Sequence, residues 1–210
     1  MNVPSKSFSR AKPETLSPFA RELYSIGLSR EDVLRKIYAV DFPEEFYLIE
    51  SQRIAGNLDL TVEYLQHPWD LIATVESGGP SEKVELWSKN QEKQAFQKNP
   101  QVIPLMQLSI EGSMYDDYII GYERSELAQG RSTVVGHKGD ITEKESQFVR
   151  IGASVLSVLE TCLLEKHRIL ETQYNSLSNR GMGSVREEDV HEVKEDIEAI
   201  ATIRSILRNK

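Results

Sequence analysis

Between Leu71 and His137 the apolar residues fall into short runs with a period close to two, rich in β-branched and aromatic side chains and separated by glycine, proline and asparagine. The stretches joining them, such as Ser77-Gly-Gly-Pro-Ser81, Glu111-Gly-Ser-Met114 and Ala128-Gln-Gly-Arg131, are too short to hold a helical crossover. Antiparallel neighbours are therefore favoured over parallel ones, and a mainly antiparallel sheet of four or five strands is expected. Its strands are placed at about Leu71 to Glu76, Lys83 to Ser88, Val102 to Ile110, Tyr118 to Tyr122 and Thr133 to His137.

Helical periodicity flanks this block. Ser17-Pro18 offers an N-cap with proline at the first helical position, Phe19, Leu23 and Ile26 share a face, and Gly27 ends the run. Ser29 and Asp32 open a second helix, and Asp41-Phe-Pro-Glu-Glu-Phe46 starts a third. Beyond the strands, Thr142-Glu-Lys-Glu145 fits a capping box, and an apolar pattern from Phe148 to about Tyr174 predicts the longest helix. A second box at Ser184-Val-Arg-Glu187 precedes a narrow stripe of Val190, Val193, Ile197, Ile200 and Ile203 or Leu207, so the last two helices read as a hairpin. Helices, then strands, then helices define an α+β protein. We expect a flexible tail over 1–16, one α+β domain over 17–174 and a C-terminal helical extension over 175–210.

Thirty-three acidic residues against 25 basic give a formal charge of −8, which repels polyanions and disfavours nucleic acid and anionic membrane surfaces as partners. No stretch approaches the roughly 18 apolar residues of a membrane span, and the N-terminus lacks the apolar core of a secretion signal, so a cytoplasmic location is expected. The single cysteine, Cys162, lies in an apolar run where it acts as a small hydrophobe.

Familiar chemistries find no foothold. His67, His137, His167 and His191 show no metal-ligand spacing, and phosphate-loop, nucleophile-elbow and dinucleotide motifs are missing, so no catalytic residue, metal or cofactor is assigned. Trp69, in His67-Pro-Trp-Asp70, is either a core plug or an exposed anchor, with the core favoured. Trp87 alternates out of phase with Leu86, which puts one of the two on the second sheet face as a covered residue or a binding patch. Tyr115-Asp116-Asp117, with Glu111, combines an aromatic contact surface with charge that can steer a basic partner, or is a solvated hairpin end.

The order of phrases is similar to that of the SUKH superfamily: Phe42-Pro-Glu-Glu-Phe46 at a helix start, Pro68-Trp-Asp-Leu71 at a junction, then Val102-Ile-Pro-Leu-Met106, Asp117-Tyr-Ile-Ile-Gly-Tyr122 and Ser132-Thr-Val-Val-Gly-His137. The resemblance covers about residues 30 to 165; the Asn-Gly-Gly phrase common after the early helix is missing, and the closing hairpin lies outside the usual domain. It implies an α+β domain that binds other proteins, bacterial relatives neutralising toxins and fungal ones serving cell-wall regulation.

The expected function is thus a non-catalytic protein-binding module, in one form an immunity protein for a basic toxin domain, with Glu111, Tyr115, Asp116, Asp117 and Trp87 as contact residues. Two alternatives carry their own signatures. Self-assembly would use the C-terminal hairpin, and an enzyme would gather His67, His137, Asp116 and Asp117 around one pocket.

Overall fold

In the computed structural model, the described residues are 18–52, 62–64, 66–69, 71, 93–109, 118–139, 147–178 and 187–209. The protein is α+β. Helices α1 (Pro18–Ser25), α2 (Arg30–Tyr38) and α3 (Glu44–Gln52) come first, then strand β1 (Val62–Tyr64), the short α4 (Gln66–Trp69) and a helical turn, α5, at residues 93–98. Next come β2 (Val102–Leu108), β3 (Tyr118–Glu123), the one-turn α6 (Arg124–Leu127), β4 (Val134–Lys138) and β5 (Val149–Gly152). The long helices α7 (Val155–Ser178) and α8 (Glu187–Arg208) close the chain.

The local signals act as their chemistry dictates. Gly27 takes the left-handed conformation (φ 85°) and donates its N–H to the Tyr24 carbonyl, while the Leu28 N–H reaches Leu23 O, which together stop α1 in a Schellman turn. Ser29 caps α2 reciprocally: its hydroxyl accepts the Asp32 N–H at 3.1 Å and its own N–H donates to the Asp32 carboxylate at 3.3 Å.

The five strands form one antiparallel meander in the order β1-β2-β3-β4-β5. The three strands expected from Val102 onward fall where periodicity puts them. The other two, Leu71 to Glu76 and Lys83 to Ser88, lie outside the described residues apart from Leu71, which is buried in a turn after α4. The first strand of the sheet is β1 instead, so Trp69 follows a strand and a short helix.

A second correction concerns Val149–Gly152, expected at the start of the longest helix but found pairing with β4. The physical reason lies at Gly152-Ala-Ser154. A Cβ on Gly152 would stand 2.5 Å from the Val158 side chain, so only glycine lets β5 pass this close to α7. Ser154 then caps α7, its hydroxyl accepting the Ser157 N–H at 3.1 Å while its own N–H donates to Ser157 Oγ at 3.3 Å. The box at Thr142 to Glu145 lies outside the described residues.

One sheet face meets the helices. Ile103, Leu105, Met106, Leu108, Ile120, Tyr122 and Val134 join Phe46 and Ile49 of α3, Leu159 and Leu163 of α7 and Val193, Ile200 and Ile203 of α8 in a single apolar core. The stripe on α8 is thus spent within the chain, and Glu160 and Arg204 add an ion pair between α7 and α8 at 2.7 Å. Across the register, Gly136 leaves a slot for Tyr118 and Ile151, whose side chains would lie within 3 Å of any added Cβ. Behind the other face Ala95, Ile119 and Phe148 form a small second cluster.

Candidate functional site

Strand register sorts the functional residues between two ends of the sheet. Val62 pairs with Leu108, Leu108 with Tyr118, and Tyr118 with Lys138, which brings four strand ends to one margin. Segment 109–117 runs between Leu108 and Tyr118, the paired ends of two adjacent inner strands, and segment 139–148 leaves from Lys138 beside them. Glu111, Tyr115, Asp116 and Asp117 belong to the first of these segments; they and Trp87 lie outside the described residues. What the structure gives is where that segment is anchored.

Of the residues considered for a dispersed active site, Asp116, Asp117 and the side chain of His67 lie outside the described residues. His137 is fully buried on the second sheet face, its ring 5.4 Å from that of Phe148, whereas His167 and His191 sit on α7 and α8 beside Glu171 and Glu195. Among the described residues there is no group of three or more His, Cys, Asp and Glu that could hold a metal ion. The Cys162 thiol is buried, which pushes its pKa up to about 12 and leaves it protonated and unreactive at neutral pH. Trp69 is the core plug: it stacks on Phe46 at 4.2 Å and its indole N–H donates to Leu105 O at 2.6 Å.

The opposite end of the sheet holds what sequence reasoning missed. Here β3 turns into α6, β5 turns into α7, and α3 arrives with Glu45 at its second position. Glu45 is only 6% exposed. One of its carboxylate oxygens, Oε1, accepts the Tyr122 hydroxyl at 3.0 Å and the Val155 N–H, the first amide of α7, at 3.0 Å. Desolvation is the largest influence on this acid and raises its pKa, while hydrogen bonds from Val155, Tyr122, Ser154 and Leu156 pull the other way. Tyr122, wholly enclosed and facing that carboxylate, has its own pKa driven well up, by burial first.

Around the corner, Glu126 of α6 accepts from Arg131 and, at 2.6 Å, from the Thr133 hydroxyl. Those bonds, led by Arg131, hold its carboxyl down at about 2. Glu126 locks the turn between β3 and β4, with the Arg131 N–H also donating to the Glu126 carbonyl at 2.9 Å. The only sequence signal for the Glu45 arrangement was an acid at a helix start, which ordinarily faces water. No local pattern announces that its partner is 110 positions away.

The chain matches no protein-family model and no curated protein. No helix among the described residues is long and apolar enough to cross a membrane.

Proposed function

We propose that this chain is a non-catalytic module that binds a basic protein, in the manner of the SUKH-type immunity proteins it resembles, through the sheet end where β2 passes into β3. The observation that carries this reading is the pairing of Leu108 with Tyr118. It ties both ends of segment 109–117, which carries Glu111, Tyr115, Asp116 and Asp117 in sequence, to neighbouring inner strands that belong to the apolar core. The adjoining segment 139–148 adds Asp140, Glu143 and Glu145 against Lys144, and no basic residue occurs in 109–117. Acidic residues outnumbering Lys138 and Lys144 at this margin speed encounter with a basic partner and fix its orientation. Tyrosine between carboxylates adds contact area at low entropy cost.

Use of the α8 stripe within the chain's own core favours this reading over self-assembly through the hairpin. The test is co-purification with the products of neighbouring genes, followed by a growth-protection assay with any toxin domain among them. Stoichiometric capture of a basic domain together with protection supports the proposal; neither outcome with any neighbouring product overturns it.

A further inference from the structure

The Glu45 carboxyl joins three elements that are remote in sequence: it belongs to α3, takes the Tyr122 hydroxyl from β3 and takes the first amide of α7. Among the described residues, its donors are uncharged. From β3 it faces Tyr122, and from the start of α7 Ser154, Val155 and Leu156; on its own helix Tyr47, itself raised by burial, acts on Tyr122. Among the described ion pairs, Arg35 is held by Asp32 and Asp41, Arg131 by Glu126, and Arg204 of α8, the helix that packs on α3, by Glu160. A buried acid compensated by neutral donors alone changes its balance whenever its proton leaves.

We propose that Glu45, buried and bonded to both Tyr122 and the first amide of α7, is a proton-operated latch between α3 and the N-terminus of α7, closed most firmly when its carboxyl is protonated and loosened when the proton leaves. In the protonated acid Oε1 is a carbonyl oxygen with two lone pairs for Tyr122 and Val155, and no net charge is buried. Loss of the proton puts a negative charge in the core, and its desolvation outweighs what the bonds from Tyr122 and Val155 return. The sign follows from the upward shift: stability from this group is complete below the ordinary glutamate value of 4.5 and is lost as pH rises through the higher folded value.

Three measurements on the full chain test this. Carboxyl-carbon NMR should place the Glu45 midpoint above the ordinary glutamate value of 4.5; a midpoint at or below it overturns the proposal. Glu45→Gln keeps an acceptor for Val155 and Tyr122 but cannot titrate. From below pH 4.5 up to pH 8 the wild type should lose thermal midpoint relative to this variant by roughly 3–5 °C for each unit by which its pKa is raised. Hydrogen exchange at Val155, corrected for the intrinsic pH effect, should lose protection over the same range in the wild type only. Parallel pH profiles in the two proteins would mean that the latch does not titrate. Should the variant not fold, the wild-type NMR midpoint alone decides.

Discussion

The Val155 N–H and the Glu45 Oε1, 110 positions apart in the chain, meet at 3.0 Å on the same oxygen that receives the Tyr122 hydroxyl. Ser154 caps the Ser157 N–H of the longest helix, and Glu45 supplies the acceptor for the buried Val155 N–H. Tyr122→Phe removes one donor without changing the ring that packs on Phe42. We expect a loss of about 1–3 kcal/mol in denaturant unfolding and a further rise in the Glu45 pKa, because the lost bond is one of those that lower it. Unaltered stability would show that the Tyr122 bond contributes nothing net.

Trp69 tests the packing between α4 and β2. Trp69→Phe keeps the stack on Phe46 but strands Leu105 O, at a cost of about 1–3 kcal/mol, whereas Trp69→Ala adds a cavity and should cost about 3–5 kcal/mol. Equal losses would mean that the indole hydrogen bond carries no weight.

Much of this architecture was readable from local patterns. Ser29 with Asp32, Pro18 and Gly27 each work within one helical turn, and the strands from Val102 onward are short apolar runs set off by turn residues, so those elements appear where expected. Val149–Gly152 was misread because its apolar residues continue smoothly into those of α7, and only the close approach of Gly152 to Val158 separates strand from helix. The same limit applies to Glu45. Its role is set by burial and by a partner in α7, and neither leaves a mark in the residues beside it.

Helix α8 should melt with the rest of the protein, since Val193, Ile200 and Ile203 are fully buried in the common core. Ile200→Ala is expected to cost about 2–5 kcal/mol, with far-ultraviolet circular dichroism and tryptophan fluorescence reporting one shared transition. Arg204→Met, which removes a half-exposed ion pair with Glu160, should cost less than about 1 kcal/mol. A separate early transition in circular dichroism would show that α8 is held independently.

Acid stability should depend on Glu126. Its folded pKa, about 2, lies below the ordinary value of 4.5, so its contribution is present above that value and is lost as pH falls toward 2. Arg131→Gln should raise the Glu126 midpoint toward 4.5 and flatten this part of the acid profile. A midpoint that stays near 2 in the variant would assign the shift to Thr133 instead.

The binding proposal stands or falls on the segment between Leu108 and Tyr118. The measurement is stopped-flow association, over a range of salt concentrations, of the wild type and of Asp116→Ser with Asp117→Ser, using the basic toxin domain recovered by co-purification. With thermal stability unchanged to within about 0.5 kcal/mol, the double variant should associate more slowly and show a shallower salt dependence. An association rate and salt slope equal to those of the wild type would contradict the assignment of this sheet end as the docking surface.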